Sequence, residues 1–204
     1  DDSNGGIVKL TQGIATSEVG SFVMDMIDQS KVTSAFQMEA QVLMSGGTCG
    51  LDGMSTECGG EGMSFVYGDL PSWAPFDEKG AGDGLRVSLL THTWRRIEVV
   101  YGNEVMRSVE VGDAIRSEKF IDLIVAYNQY GLQVSLDGVS YVSNLTISGW
   151  SPQADWQFGF GASTSSNPDK HWLKSVVIHG DIVDTIADLQ VSMNGQQYTQ
   201  DTHT

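Results

Sequence analysis

What most constrains the fold of this chain is how its apolar residues recur. They come in short runs with a period of two, each closed by a turn residue, and almost never at helical spacing. From Phe22 the string FVMDMI alternates, and VTSAFQMEAQVLM over residues 32–44 puts Val32, Ser34, Phe36, Met38, Ala40 and Val42 on one face. Further strands are expected at GMSFVYG (62–68), GLRVSLLT (84–91), RRIEVVYG (95–102), FIDLIVAYN (120–128), GLQVSLDG (131–138), SYVSNLTI (140–147), DWQFGFGAST (155–164) and HWLKSVVIHG (171–180). Gly102-Asn103, residues 128–131 and Asp137-Gly138 stand in gaps where a hairpin needs positive φ. About ten such strands with scarcely a helix start or stop signal predict an all-β fold, two packed antiparallel sheets in a jelly-roll sandwich. The 24 glycines in 204 residues exceed the average usage of about 7% and lie mostly in the turns. The sandwich is expected over residues 1–180. Residues 181–204 are polar, Gln/Thr-rich and read as a tail or linker; 181–189 have room for a helical turn or two, and VSMNGQQYT (191–199) could pair as one more strand.

Charge narrows the function. Eleven Lys and Arg against 26 Asp and Glu give a formal charge of −15, which repels phosphate backbones and anionic headgroups and argues against nucleic-acid binding. No apolar run approaches the roughly 18 residues of a spanning helix, so membrane insertion is not expected. The chain opens Asp1-Asp2-Ser3, without a basic and then apolar leader, and a processed N-terminus is expected. Cys49 and Cys58 are the only cysteines, and the glycine-containing stretch between them makes a disulfide sterically easy; the alternative is two unpaired thiols. With the glycosylation acceptor Asn144-Leu145-Thr146, the bridge favours a secreted, cell-surface or lumenal compartment.

Enzymatic chemistry finds no footing. A retaining glycosidase needs two carboxylates about 5 to 5.5 Å apart, typically as Glu-x-Asp-x-Glu on one strand face, and no such string occurs. Glu110, Asp113 and Glu118 are wrongly spaced for one face. His92, His171, His179 and His203 are scattered, no Gly-x-Ser-x-Gly elbow is present, and the glycine-rich GAGDG lacks a following helix or Lys-Ser/Thr pair. The chain is expected not to be an enzyme.

In GEGMSFVYGDLP (60–71), GAGDGLRVSL (80–89) and GWSPQADWQFGFGASTSSNPDKHW (149–172), the sequence resembles the concanavalin-A-like, legume-lectin-type (L-type lectin-like) β-sandwich domain, in the branch common in multidomain secreted or surface proteins. The resemblance spans residues 5–180, since GGIVKLT matches the first strand. It implies a non-catalytic module for carbohydrate recognition or adhesion, with a glycan or glycoprotein held on a concave sheet or by edge loops, often beside a calcium ion. Two departures stand out. Sugar-binding relatives carry Asp-Gly where this chain has Glu61-Gly62, and the longer side chain displaces the acceptor oxygens. After the strand matching LRVS many relatives have Phe-Asp-Thr and a calcium loop, whereas here Leu90-Thr91-His92-Thr93-Trp94 leads into Arg95-Arg96. No cofactor or metal is therefore expected, the calcium loop being lost. Loose calcium binding around Asp77, Glu78 and Asp83 competes with a plain solvated surface.

The residues assigned to carbohydrate are Glu61, Gly62, Trp73, Asn167, Asp169 and His171. For His171-Trp172 two readings compete, a loop-borne ligand site floored by Trp172, or a histidine that satisfies buried loop carbonyls above a core tryptophan. Trp73 and Phe76, in LPSWAPF, are either a sugar-stacking platform or partner contact, or a loop plug over the sandwich. Trp94, Arg95 and Arg96 form the one basic-aromatic cluster, and are assigned to partner contact. The alternative to a lectin is accordingly a degenerate lectin fold acting as a structural or linker subunit through protein contacts in a larger assembly.

Overall fold

The computed structural model describes residues 6–26, 31–46, 60–72, 74–92, 94–183, 189–193 and 196–200. Two six-stranded antiparallel sheets make the sandwich. The first has the order β1-β12-β3-β8-β9-β10 and is built from β1 (Val8–Gln12), β3 (Val32–Ser45), β8 (Ile121–Asn128), β9 (Gly131–Leu136), β10 (Val139–Leu145) and β12 (Lys170–Val183). The second has the order β2-β11-β4-β5-β6-β7, from β2 (Val19–Val23), β4 (Gly62–Gly68), β5 (Gly84–Leu90), β6 (Arg96–Tyr101), β7 (Glu104–Glu110) and β11 (Gln157–Ser163). A two-stranded hairpin of β13 (Leu189–Met193) and β14 (Gln196–Gln200) follows.

The core follows from the pleat. In β3 the alternate residues Phe36, Met38, Ala40, Val42 and Met44 are buried, while Gln37 and Glu39 point outward and hydrogen-bond each other. Opposite them lie Phe65 and Tyr67 of β4, Val87 and Leu89 of β5, and Phe158 and Phe160 of β11. Tyr67 stacks on Phe158 with ring centroids 4.3 Å apart, and its hydroxyl donates to the Thr33 carbonyl at 3.0 Å, so even the polar tip of this core aromatic is satisfied.

β4 is buried along its whole length because both faces are covered. On its outer face Val66 packs with Leu70 and Phe76 of the 69–83 loop in a second, smaller apolar cluster. β11 makes room for that loop by alternating glycine outward with aromatic inward. A Cβ on Gly161 would sit 2.4 Å from Phe76 Cδ2, and one on Gly159 would sit 2.8 Å from Leu70 Cδ1. Phe76 is thus the plug of the two readings. The loop is also fastened by Ser64 Oγ, which donates to the Asp77 carbonyl at 2.8 Å, and by Ser163 Oγ, which donates to Glu78 Oε2 at 2.5 Å. Glu78, expected on a solvated surface, is buried by that contact; Asp83 is exposed.

Three expectations shift. The strand read from Phe22 onward ends at Val23, since β2 is short and pairs with β11 only through Val19–Val23. β7 escaped notice because this edge strand exposes most of both faces and carries no apolar alternation. Residues 181–183 are strand rather than helical turn, because β12 stays paired to β3 as far as Val183 opposite Val32. Cys49, Cys58 and Trp73 lie outside the described residues, so their expected bridge and stacking role are not placed.

Candidate functional site

Several connections approach one another at the end of the sandwich where β4 begins. The corner Gly60-Glu61 lies at their centre, fixed through its backbone. Glu61 N–H donates to the Ser163 carbonyl at 3.2 Å, Thr91 N–H donates to the Glu61 carbonyl at 3.0 Å, and Thr91 Oγ1 donates to the Gly60 carbonyl at 2.7 Å. The following glycine is required by packing. Gly62 has φ +136°, and a Cβ there would fall 2.2 Å from the Leu89 carbonyl oxygen of β5.

Beneath the corner is a closed polar cluster. Gly60 N–H donates to Asp169 Oδ2 at 3.0 Å, Arg116 grips the same carboxylate through Nη1 at 2.6 Å and Nη2 at 3.3 Å, and Lys170 N–H donates to Oδ1 at 3.1 Å. Thr11 Oγ1 donates its single proton to the Asp169 carbonyl at 2.6 Å and accepts from His171 N–H at 3.1 Å. The His171 Nδ1 2.9 Å from Thr11 Oγ1 must then be a donor as well. His171 Nε2 faces Asp169 Oδ2 at 3.5 Å. Burial pushes the Asp169 carboxyl up, but hydrogen bonds and charge from His171 and Arg116 outweigh it and hold the carboxyl below its ordinary value of 3.8.

The cluster lies behind the corner and is closed to solvent. Asp169 and His171 are both 0% exposed, so these two assigned residues reach no solvent. Thr11, His171 and Asp169 do line up as hydroxyl, imidazole and carboxylate, yet Thr11 is 1% exposed and its proton is already on a carbonyl, so no substrate meets a nucleophile here. Trp172 is half-buried; its indole N–H donates to the Thr11 carbonyl at 2.9 Å, and the Lys9 ammonium lies 4.6 Å from its ring centroid. Asn167 is half-buried in the 164–169 connection. Sequence reasoning missed Thr11 and Arg116, which lie 158 and 53 residues from Asp169 in the chain.

What faces outward is different. The Glu61 side chain is half-buried, and its carboxylate has no hydrogen-bond or ion-pair partner among the described residues. The 91–95 connection, tied to the corner by Thr91 and to β7 by Val111 N–H donating to the Arg95 carbonyl at 2.9 Å, carries Trp94 at 72% exposure with φ +53°. Arg95 pairs with Asp113, and Arg96 with Glu98 at 3.4 Å. The cluster assigned to partner contact therefore shows an aromatic face, with both guanidinium groups engaged by acids of this chain. Asn144 is exposed, with φ +50°, near the end of β10.

These residues do not suit a calcium ion. The Thr91 hydroxyl is donated to Gly60, Asp113 is paired with Arg95, and Asp169 is enclosed by Arg116; among the described residues no group of three or more His, Cys, Asp and Glu converges. Also among the described residues, no helix is long and apolar enough to cross a membrane.

No family model matches the chain, and no curated protein matches it in sequence. Solved structures do match. The VIP36 exoplasmic/lumenal domain, in a form bound to Ca2+ and Man3GlcNAc, superposes with a TM-score of 0.62 at 18% identity, covering 87% of this chain and 81% of that one. The carbohydrate recognition domain of Emp47p gives 0.63 at 14% identity, covering 87% and 89%. The lectin from Bauhinia forficata, in complex with GalNAc, gives 0.59 at 11% identity, covering 89% and 94%. Sheet topology and these likenesses together show that the chain has the two-sheet sandwich fold of the L-type lectin domains.

Proposed function

We propose that this chain is a non-catalytic carbohydrate-recognition module whose binding end is the Gly60-Glu61 corner, and that it works in a lumenal or secreted setting. The observation that carries this reading is the Glu61 carboxylate, held on a corner whose backbone is fixed by three hydrogen bonds, one of them from the Thr91 hydroxyl, and left without a partner among the described residues. An acceptor pair carried on a fixed backbone suits neighbouring sugar hydroxyls, because part of the ordering entropy is already met in the fold. Trp94, exposed on the connection that Thr91 ties to the same corner, adds an apolar face of the kind that packs on a pyranose ring. Support also comes from VIP36 and Emp47p, whose solved domains are described as glycan-bound and carbohydrate-recognising, and from the lumenal placement of the VIP36 domain.

Recognition here is calcium-independent in this reading, since the Arg116 guanidinium occupies the supporting position beneath the corner. The test is a glycan array probed with the purified chain in calcium and in chelator, with Glu61→Ala beside it. Binding that survives the chelator and disappears in Glu61→Ala is expected. Binding indifferent to Glu61→Ala would place recognition elsewhere, and silence from a chain shown to be folded would overturn the lectin reading.

A further inference from the structure

The opposite end of the sandwich holds a cavity of about 630 Å³. It opens between the 128–131 turn of the β8–β9 hairpin, Ser34 and Ala35 at the start of β3, Asp181 of β12, and Thr146 just after β10. β3 runs from this cavity to Ser45, which pairs with Lys170 beside Asp169. At about 3.3 Å per residue, the two ends stand some 35 Å apart.

The lining is specific in its chemistry. Two tyrosines, Tyr127 and Tyr130, are accompanied by amides, hydroxyls and the Asp181 carboxylate, and no Lys, Arg or His is among the lining residues. An anionic ligand would meet Asp181 without a cation to receive it, and a wholly apolar ligand would desolvate the polar groups without replacing their water. A neutral polyhydroxylated ligand satisfies both, its ring face on an aromatic and its hydroxyls on amide and carboxylate. A second, smaller cavity of about 230 Å³ shares Ala35, Tyr127, Asn128 and Asp181, and extends past Gln37 to His179 on the outer face of the first sheet.

The groups are also preorganised. Asn128 Oδ1 accepts Tyr130 N–H at 2.8 Å, which locks the turn, presents Tyr130 at 67% exposure, and leaves the Asn128 amide N–H groups for a ligand. Tyr127 lies 4.0 Å, centroid to centroid, from Trp150, whose indole N–H donates to the Ser34 carbonyl at 3.1 Å. The wall is therefore braced from behind. Burial, and secondarily the neighbouring Tyr101, push the Tyr127 phenol above its ordinary value.

We infer that this cavity is a second saccharide-binding site, taking a neutral oligosaccharide across Tyr130 and Tyr127 with Asp181 and Asn128 as its polar ligands. It is independent of the Glu61 corner. The chemistry has two sources, because the acceptor Asn144 lies two residues before Thr146 of the lining: the ligand is a free glycan, or the glycan attached to this same chain.

The experiment uses full-length chain made in bacteria, which carries no N-glycan, on an array of neutral mannose-, galactose- and N-acetylgalactosamine-terminated oligosaccharides. Glu61→Ala, Tyr130→Ala and Asp181→Asn are compared, with thermal melting to confirm that each is folded. A component of binding is expected that persists in Glu61→Ala and falls about tenfold in Tyr130→Ala, with Asp181→Asn also weakening it. Quenching of Trp150 fluorescence through Tyr127, absent from a Trp150→Phe control, should titrate with the same ligand. Chain secreted from eukaryotic cells separates the sources: loss of this component, restored by Asn144→Asp, assigns the cavity to the attached glycan, and its retention assigns it to a free one. If no glycan binds in a Tyr130-dependent manner, the second site is overturned, whatever the Glu61 variant does.

Discussion

Replacing Arg116 by Met tests the support beneath the corner most directly. Asp169 is 0% exposed, and Arg116, with 14% of its side chain exposed, supplies two of its contacts at 2.6 and 3.3 Å. Removing one partner of a buried ion pair typically costs about 3–5 kcal/mol, because the remaining charge is left without compensation. Here Gly60 N–H, Lys170 N–H and His171 remain around the carboxylate, so the lower end applies, about 3 kcal/mol. For a chain of this length each kcal/mol moves the midpoint by about 2–4 °C, which makes a fall in Tm of about 6–12 °C. Urea denaturation followed by circular dichroism at neutral pH gives the free energy directly. Acid adds a second readout. Because the folded Asp169 carboxyl lies below its ordinary value of 3.8, its contribution is complete above that pH and is lost as pH falls through the lower, folded value. Taking Arg116 away raises the folded value, so Arg116→Met should start losing stability at a higher pH than the parent chain. A variant within about 0.5 kcal/mol of the parent, the ordinary range for surface changes, with an unchanged acid profile, would refute the reasoning.

Gly60→Ala would place a methyl 2.9 Å from Asp169 Cβ and 3.1 Å from His171 Cε1, and should cost about 1–3 kcal/mol in urea denaturation while weakening glycan binding out of proportion. Tyr67→Phe keeps the stack on Phe158 but leaves the Thr33 carbonyl without its donor, an expected loss of about 1–2 kcal/mol by the same assay. Trp94→Gly removes a bulky side chain from the left-handed region, so the melt should be unchanged or improved by about 0.5–1 kcal/mol while array binding falls. A Trp94→Gly variant that destabilises the chain would show that the indole packs rather than binds.

Much of the architecture was legible because a sandwich writes itself in period two. GMSFVYG became β4 residue for residue, and the inward face of β3 from Phe36 to Val42 is buried as alternation requires. Where both faces of a strand are wet, as in β7, there is no alternation to read. The site was legible in part. Glu61 and Trp94 were marked by their departure from a familiar pattern; Trp94 is exposed and Glu61 half-buried. Asp169 and His171 were marked too, but a sequence does not say whether a polar residue beside a turn meets solvent or an arginine from a distant part of the chain. That answer rests on Thr11 and Arg116, brought to Asp169 by pairing of β1 with β12 and by the turn of residues 112–115 that precedes Arg116. Such contacts, distant in sequence and with no motif of their own, exist only once the sheets have closed.

The double covering of β4 also bears on when binding at the proposed corner would be lost. Local opening of a protein starts where few apolar groups hold the backbone, and a strand with an apolar cluster on each face sits at the far extreme. Amide protons along β4 should be among the last to exchange, and the Gly60-Glu61 corner is anchored directly to its first residue. Glycan binding at that corner should then vanish only with cooperative unfolding, making ligand capture a gauge of the global state. The Tyr130 turn, at the exposed tip of a hairpin, should breathe well before it.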